Sequence, residues 1–409
     1  MRQIFYIASI TKASLSFMLQ RKKRKSIFSL KNKARLVQGG APFFNLLTQL
    51  INGARHSIHL QTYIFSTDAS GTAIAKALMA ASERGVAVYL VADGYASDHI
   101  TKPFMEQLEN AGVHFRFFEP LFRSEHFYFG RRLHHKVAVF DNRCALISGS
   151  NIADRYNDLP NHPAWFDMGI LVEGDAAIEI FDICTKIWEK DKAKRNPLKR
   201  KLADIFNHIA KEDTVGVRVL QNDWVRRKQE IFYAYHKLFK EAKTNITIVC
   251  SYFLPSPSLR NRLSKAVQRG VDVRIVLGST SDVLVAKHAE RYLYRWMLRN
   301  GITIYEYLPT VLHAKVAVID ADMLTIGSYN INDLSALASV EMNVLVKDKE
   351  LTSELRVEIE EMIKTKCVQI DRRSYKTNLF SLKHLWQAVC YYTLTLLVTL
   401  GTFYFKREE

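Results

Sequence analysis

The stretch Leu133–Asp141, which reads LHHKVAVFD, has a second copy at Leu312–Asp320, which reads LHAKVAVID. Each copy contains a histidine, a lysine two residues later and an aspartate five residues after that lysine. After six more residues, each copy enters a turn of small residues that ends in an asparagine, Asn151 in the first copy and Asn330 in the second. Two copies with the same spacing throughout indicate a duplicated unit with one shared chemistry.

The chain around each copy alternates between helical and strand-like patterns. In the first half, Gly85 and Gly112 each end an amphipathic segment and precede an apolar, strand-like run; Gly270 and Gly301 do the same in the second half. The order of elements is shared, and the offset between the halves is nearly constant. We therefore predict an α/β fold of two similar halves with the active site between them, plus a C-terminal hydrophobic helix.

Breaks in composition divide the 409 residues, which suffice for two buried cores, into six segments. These segments are a basic N-terminal arm (1–40), the first half (41–189), a basic linker (190–215), the second half (216–370), a basic juxtamembrane segment (371–385) and the C-terminal helix (386–405). The N-terminal arm has two open interpretations, a solvated extension and an electrostatic contact with anionic lipid. The linker is interpreted as solvated rather than as a phosphate contact.

The chain is strongly basic, with a net charge of +17 and a pI near 9.5. This charge predicts an anionic partner, such as a surface of lipid headgroups or nucleic acid. The five cysteines are scattered and lack a CxxC pair, which argues against a disulfide framework or a zinc site and favours a reducing compartment. No carboxylate-rich cluster has metal-ligand spacing, so the sequence predicts metal-independent chemistry without a cofactor.

The segment Trp386–Phe405 carries no charged residue and has aromatic residues at both ends. At about 1.5 Å per residue, a helix of this length would span a hydrocarbon layer of about 30 Å. The sequence therefore predicts a single C-terminal anchor in the cell membrane, with a hydrophobic helix packed onto the catalytic halves as the alternative. Cations before the segment, including Arg372 and Lys383, favour a catalytic region that faces the cytoplasm.

Valine-rich residues after each His-x-Lys indicate a β-strand, in which alternate side chains share a face. His134 and Lys136 therefore project together, whereas His135 has an alanine as its counterpart and is expected to be incidental. Asp141 has the opposite parity and begins a turn, where an aspartate commonly bonds backbone amides, and the same holds for Asp320. The candidate catalytic residues from the two copies are His134, Lys136, Asp141, His313, Lys315 and Asp320, of which the two aspartates are expected to hold turns.

Together the two halves supply two imidazoles, two ammonium groups and the amides of Asn151 and Asn330, an inventory that suits a phosphodiester. The cations and amides can stabilise charge on the non-bridging oxygens. One imidazole can attack phosphorus while the other protonates the leaving alkoxide, and an ordinary imidazole pKa of about 6.5 suits both tasks. The predicted chemistry is therefore covalent catalysis on a phosphodiester.

The repeated HxKxxxxD pattern, with its following Gly/Ser turn and asparagine, resembles the signature of the phospholipase D superfamily in both halves. The resemblance implies that one histidine forms a phosphohistidine intermediate and the other is the general acid; by position, His134 would be the nucleophile and His313 the acid. It also implies an acidic residue downstream of each motif that orients its histidine. On that basis Asp167 would support His134, and Glu341 would support His313.

Within this superfamily the chain is most similar to bacterial cardiolipin synthases, on stretches such as Gln61–Phe65, Asp93–Tyr95 and Trp165–Gly174. The resemblance implies a phosphatidyltransferase that acts on anionic phospholipids at a membrane, with phosphatidylglycerol as the acceptor and glycerol released. Two alternatives would use the same residues: hydrolysis, as by a phospholipase D, and cleavage of nucleic acid, which the predicted anchor disfavours. A non-enzymatic binding module is the least favoured alternative, because both copies of the motif keep all of their candidate catalytic residues. One departure is that Ser148 stands where a glycine usually opens the turn, which we expect to tighten the phosphate pocket slightly.

Overall fold

The computed structural model of the chain describes residues 28–120, 131–189, 214–371 and 381–405. Most of the predicted N-terminal arm, nearly all of the predicted linker and most of the predicted juxtamembrane segment lie outside these ranges. Both copies of the repeated motif lie inside them. The two halves and the site between them can therefore be described.

The first half is built on a sheet with the strand order β1-β8-β7-β6-β2-β3-β4. Its elements are β1 Asn32–Gln38, α1 Ala41–Gly53, β2 Ser57–Thr62, α2 Ala69–Glu83, β3 Ala87–Asp93, α3 Lys102–Asn110, β4 His114–Phe118, β5 Arg132–Leu133, β6 Val137–Phe140, β7 Cys144–Ser148, β8 Met168–Gly174 and α4 Asp175–Trp188. Strands β2, β3 and β4 are parallel, as their crossover helices require, and the other neighbours in this order are antiparallel.

The second half repeats this plan, with the strand order β10-β9-β16-β15-β14-β11-β12-β13-β17. Its elements are β9 Gly216–Asp223, β10 Lys228–Gln229, α5 Glu230–Glu241, β11 Asn245–Cys250, α6 Pro257–Gln268, β12 Asp272–Gly278, α7 Leu284–Arg299, β13 Thr303–Tyr307, β14 Lys315–Ile319, β15 Met323–Gly327, α8 Asp333–Leu337, β16 Ser339–Lys347, α9 Lys349–Lys366, β17 Cys367–Gln369 and α10 Leu382–Phe405. The predicted α/β fold of two similar halves is confirmed.

The two sheets face each other across a shared core. Alternate residues of β6 show this, because Val137 and Val139 enter the central cluster whereas Ala138 and Phe140 enter the outer cluster of the first half. The corresponding strand β14 divides in the same way between the central and second outer clusters. Helices α4 and α9 fill the central layer. Both motif strands are thus buried on both faces and hold their ends rigidly at the boundary between the halves.

The arm predicted over residues 1–40 contains an ordered edge strand at its C-terminal end. Strand β1 pairs antiparallel with β8 along its whole length, and Leu36 and Val37 are buried. The basic residues Lys31, Lys33 and Arg35 dominate this stretch, so its composition indicated an arm that is either solvated or bound to anionic lipid, and not a strand of the first sheet. The pairing with β8 outweighs that composition, because an edge strand needs only alternate buried residues.

No helix in the part of the chain that the structure describes is long and apolar enough to cross a membrane. The predicted anchor over 386–405 is therefore wrong, and the orientation and membrane localisation inferred from it lose their basis. Helix α10 instead lies along α7, where the hydroxyls of Tyr292 and Tyr392 are 3.2 Å apart, and it buries Gln387 and Cys390. This arrangement corresponds to the alternative of a hydrophobic helix packed onto the catalytic halves.

Candidate active site

Each motif histidine is fixed by a short strand contact with the opposite half. Strand β5 runs parallel to the start of β16, and the backbone N–H of His134 donates to the carbonyl of Val340 at 2.9 Å. In the reciprocal contact, Phe166 forms a parallel bridge with Leu312. The backbone N–H of His313 then donates to the Phe166 carbonyl at 2.7 Å. The two halves therefore exchange backbone contacts at the point where their imidazoles meet.

This exchange pairs each histidine with a carboxylate from the other half. The Nδ1 of His134 lies 2.9 Å from Oε2 of Glu341, and the Nδ1 of His313 lies 2.7 Å from Oδ2 of Asp167. The prediction of Asp167 for His134 and Glu341 for His313 is wrong. Within one half, strand β7 separates β8 from β6, so two strand spacings, roughly 10 Å, keep Asp167 from the histidine of its own half.

The two motif lysines are buried beside the imidazoles. Lys136 donates to the carbonyl of His134 at 3.0 Å and lies 5.2 Å over the ring of Tyr63, and Lys315 donates to the carbonyl of His313. Only 5% of Lys136 and 1% of Lys315 is exposed. Burial lowers the pKa of Lys136 to about 7 and also lowers the pKa of Lys315. A bound phosphodiester would return both groups to the charged form, because its anion compensates for the lost water.

The two imidazoles share one electrostatic environment. Burial lowers the pKa of His134, an effect that Glu341 opposes. Burial, followed by the charges of both lysines and His134, lowers the pKa of His313 well below its usual value. Burial also raises the pKa of Asp167 to about 7. The site is therefore suited to neutral imidazoles when empty and to extra protons when an anion enters.

Asn151 and Asn330 are buried at corresponding positions after the two hairpins. The amide of Asn151 donates to the Tyr156 hydroxyl at 2.8 Å and accepts from the N–H of Ile64 at 3.1 Å. The carbonyl oxygen of Asn330 accepts from the Ser251 hydroxyl at 3.0 Å. These bonds fix both amides next to the histidine-bearing strands. Their predicted role as donors to a phosphate stays a prediction.

Asp141 and Asp320 lie at the other end of the motif strands, on the order of 20 Å along the strand from the imidazoles. The carboxylate of Asp141 accepts from the backbone N–H groups of residues 55, 56 and 57, and that of Asp320 accepts from those of residues 243, 244 and 245. Both aspartates have positive φ, 53° and 50°. They hold turns, as parity indicates, and their place among the candidate catalytic residues is not supported by this geometry.

The Asp320→Ala variant is expected to lose stability rather than chemistry. Loss of its backbone bonds should cost about 1–3 kcal/mol, because three N–H groups lose their acceptor. The pKa of Asp320 is lowered: burial opposes this, but the backbone donors outweigh it. The stabilisation is therefore present above the unfolded pKa of about 4 and is lost as the pH falls through the lower folded value. Thermal melts from pH 3 to pH 7 measure this.

Asp322→Ala is the matched control for that experiment, because its side chain lies in the same turn and forms none of those bonds. Asp320→Asn should recover much of the loss, since its remaining oxygen can still accept. An Asp320→Ala protein with an unchanged melt but a large loss of turnover would show that the aspartate acts in the chemistry.

Comparison with known families agrees with the duplicated motif. The family model described as "Cardiolipin synthase, PLD-like domain" matches residues 47–162 and 235–363, one segment in each half. The chain belongs to this family. Both matched segments include a complete HxKxxxxD motif and the asparagine that follows it.

Relatives with assigned names support the same family. The chain is 29% identical to cardiolipin synthase B of Escherichia coli strain K12 over 347 residues, which covers 83% of this chain and 82% of that protein. It is 27% identical over 332 residues to the major cardiolipin synthase of Bacillus subtilis, covering 81% and 68%. Among solved structures, phosphatidylserine synthase of Haemophilus influenzae superimposes with a TM-score of 0.67 at 16% identity, covering 90% and 95%, and shares the fold.

In this member of the cardiolipin synthase family, the first Gly/Ser turn opens with a serine and the second with a glycine. The residue on the neighbouring strand differs in the opposite sense. Ser148 pairs with Gly169, whereas its counterpart Gly327 pairs with Asn343. A Cβ on Gly327 would lie 2.3 Å from the carbonyl oxygen of Met342. The serine in the first turn is thus accommodated because its partner has no side chain, and its hydroxyl accepts from the Ser150 N–H at 3.0 Å.

Gly149 leaves space for the carboxylate that orients His313. A Cβ at Gly149 would lie 2.4 Å from Oδ1 and 2.6 Å from Oδ2 of Asp167. The carboxylate is also held by the N–H of Met168 at 2.7 Å, so a Cβ at Gly149 could be accommodated only by shifting Asp167 out of its contacts with Met168 and His313. The counterpart of Gly149 is Ser328, whose hydroxyl donates to Glu341 at 2.5 Å. The carboxylate of the second half is therefore held by a side chain at the position where the first half has only a glycine.

The Gly149→Ala variant is expected to reduce kcat about 10- to 100-fold with little change in KM, because it displaces the Asp167 carboxylate from His313. Steady-state kinetics on a phosphodiester substrate measure this. Gly53→Ala is the control, since nothing lies within 4 Å of a Cβ at that helix position. If Gly149→Ala and Gly53→Ala had the same activity, the close approach to Asp167 would have no bearing on the chemistry.

Sequence reasoning missed the role of Asp93, which lies fully buried before His134. Its carboxylate accepts from the N–H of Leu133 at 2.7 Å and from those of Tyr95 and Ala96, and Arg132 lies 3.6 Å away. It therefore anchors the segment that carries the histidine. The stretch Asp93-Gly94-Tyr95 was available as a signal, but only as part of the family resemblance.

Aromatic side chains surround the two imidazoles and were also missed. The ring of Tyr63 lies 4.9 Å from that of His134, and the rings of Tyr156 and Trp165 lie 5.0 Å and 5.9 Å from that of His313. No spacing in the sequence relates these positions, which come from two connections, Tyr63 after β2 and the other two between β7 and β8. Within the described residues, no group of three or more His, Cys, Asp or Glu side chains is placed to hold a metal ion. Metal-independent chemistry stays a prediction.

Proposed function

We propose that this chain is a phosphatidyltransferase of the cardiolipin synthase type, with phosphatidylglycerol as donor and acceptor. The observation that carries the proposal is the pair of imidazoles, each held at Nδ1 by a carboxylate of the opposite half and flanked by a buried lysine. The relatives named cardiolipin synthase support the choice of reaction. Transfer between two phospholipids needs one nucleophile and one group that serves as acid and then as base.

In the first step, Nε2 of His134 attacks the phosphorus of phosphatidylglycerol. The bond from phosphorus to the glycerol oxygen breaks, and His313 donates a proton to that oxygen, so free glycerol leaves. The Nδ1 of His134 stays engaged by Glu341, which stabilises the positive charge that the ring gains on phosphorylation. Lys136 and Lys315 face the same space and stabilise the non-bridging oxygens.

In the second step, His313 takes the proton from a hydroxyl of a second phosphatidylglycerol, and that oxygen attacks the phosphohistidine. The bond from phosphorus to Nε2 of His134 breaks, cardiolipin is formed and both imidazoles return to their initial state. Asp167 supports both roles of His313, because burial raises the pKa of Asp167 to about 7 and the pair can exchange a proton near neutral pH.

The proposed partner is an anionic phospholipid surface, which supplies both substrates. The support is the net charge of +17, since a basic protein is attracted to anionic headgroups. Sedimentation with phosphatidylglycerol vesicles should remove the protein from solution at low salt and release it at high salt. Equal sedimentation with vesicles of neutral phosphatidylcholine would contradict this part of the proposal.

The test of the reaction is a product assay on purified protein with phosphatidylglycerol vesicles. Mass spectrometry should detect cardiolipin and an equal amount of glycerol. Phosphatidic acid as the main product would identify a hydrolase instead, and the absence of any lipid product would overturn the proposal.

A further inference from the structure

The side chain of Arg155 lies against two aromatic rings that also contact His313. Arg155 belongs to a 3₁₀ turn, Asp154–Tyr156, and is exposed. Its guanidinium carbon lies 5.3 Å from the centre of the Trp165 ring and 5.8 Å from that of the Tyr156 ring. Two ring contacts hold the side chain in place, because aromatic faces attract the guanidinium.

The same two rings contact the imidazole of His313, at 5.9 Å for Trp165 and 5.0 Å for Tyr156. The ring distances limit the separation of the guanidinium from the imidazole to about 11 Å at most. Within the described residues, no carboxylate forms a salt bridge with Arg155. Its donors therefore lie near His313 without an acidic partner from those residues.

The opposite charge is present close by in Asp282, which accepts a hydrogen bond from the Tyr252 hydroxyl and acts electrostatically on His313. A carboxylate repels phosphate and accepts from hydroxyl groups, whereas a guanidinium binds phosphate. The surroundings of His313 thus include one group suited to a phosphate and one suited to a polyol.

We propose that Arg155 binds the phosphodiester of the acceptor phospholipid while that lipid's terminal hydroxyl is activated at His313. The inference rests on the proposed transferase function. The donor has one phosphate, which occupies the space between the two histidines, so any phosphate that Arg155 binds outside that space belongs to another molecule. A glycerol bridge of six single bonds, each about 1.5 Å, keeps the two phosphates within roughly 8 Å. That span agrees with the limit set by the ring contacts.

The experiment compares two acceptors in one reaction, unlabelled phosphatidylglycerol and ¹³C-labelled glycerol. Attack by the lipid acceptor gives cardiolipin, and attack by labelled glycerol gives labelled phosphatidylglycerol. Only the first acceptor carries a phosphate. The Arg155→Gln variant is expected to form cardiolipin about tenfold more slowly at limiting phosphatidylglycerol, because one charge-assisted contact is lost. Labelled phosphatidylglycerol should form within about twofold of the wild-type rate.

Arg260→Gln is the matched control. Arg260 also lies between two aromatic rings, 5.8 Å from Trp296 and 6.0 Å from Tyr391, but on α6, where it contacts α7 and α10. It should leave the ratio of the two products unchanged. Arg155→Lys should recover part of the ratio, since an ammonium attracts phosphate without bidentate geometry.

An unchanged ratio in Arg155→Gln, or an equal fall of both products, would overturn the inference while leaving the transferase intact. A wild-type protein that forms neither product would overturn the proposed function itself. Inorganic phosphate distinguishes a lipid phosphodiester from free phosphate. At matched ionic strength it should not lower the ratio, and a wild-type ratio that fell to the Arg155→Gln value would assign the site to free phosphate.

Discussion

His134→Ala is expected to lower kcat by about 10⁴- to 10⁶-fold, the range seen when a covalent nucleophile is removed. Both lysines are buried and bonded to the carbonyls of the histidines, so the two motif imidazoles are the groups of the described site that can offer a nucleophilic nitrogen to phosphorus. His313→Ala should lower turnover on phosphatidylglycerol by a similar factor. The step that is slowed must differ, because His313 transfers protons and does not form a bond to phosphorus.

Intact-protein mass spectrometry separates these two roles. An aryl phosphodiester has a leaving group that departs without a proton, so the first step can proceed without His313. His313→Ala should therefore accumulate the phosphorylated chain, and His134→Ala should show no mass increase. Accumulation in His134→Ala alone would reverse the assignment of nucleophile and acid.

His135→Ala is the control for this pair. His135 is the next residue along the chain, fully buried, and its Nδ1 lies 3.1 Å from Oε1 of Gln61. Its counterpart in the second copy is Ala314. The substitution should cost about 1–3 kcal/mol of stability, because the Gln61 oxygen loses a partner, and should leave kcat within a few-fold below the melting temperature.

The fold could be predicted because the decisive signals are local and repeated. Valine at alternate positions after each His-x-Lys places the lysine and histidine on one face, and the parity of Asp141 excludes it from that face. Both follow from the two-residue period of a strand. The helix ends at Gly85 and Gly270 were also accessible, since both glycines have positive φ, 86° and 88°.

The pairing of acids with histidines could not be predicted in the same way. The contact that decides it is a two-residue strand, Arg132–Leu133, which pairs with Ser339–Val340 of the other half. Such short pairings leave no periodicity in the sequence. The strand order within one half nevertheless argued against the predicted pairing. A return strand lies between each histidine strand and the strand that follows Asp167 or contains Glu341, and it separates them by two strand spacings.

The C-terminal helix shows a limit of counting charges. The absence of charge over Trp386–Phe405 indicated a span, but polar groups such as Gln387 and Thr395 lower its hydropathy, and tyrosines of α10 meet Tyr292 of α7. Burial of Gln387 and Cys390 gives the helix a protein-facing side. A threshold on charge alone does not detect that side.

Because each carboxylate contacts the histidine of the other half, substitutions of the two carboxylates should affect different steps of the reaction. Glu341→Gln should slow phosphorylation of His134 by about 10²- to 10⁴-fold, because the amide cannot stabilise the charged ring. Asp167→Asn should instead leave phosphorylation by an aryl phosphodiester near the wild-type rate and slow its later transfer, since only His313 is affected. Both substitutions keep the volume of the side chain, so the packing should persist.

Rapid-mixing measurements of the burst of phenolate release, and of the steady state that follows it, test these two expectations. In Glu341→Gln the rate of the burst should fall. In Asp167→Asn the burst should keep its wild-type rate, and the steady-state rate should fall. The opposite result would mean that each acid serves the histidine of its own half, against the 2.9 Å and 2.7 Å contacts. The double variant separates the effects further: if the two acids act on different steps, its burst should match Glu341→Gln and its transfer rate should match Asp167→Asn. Neither half alone contains a complete histidine–carboxylate pair, so catalysis requires both halves to be joined at β5 and β16.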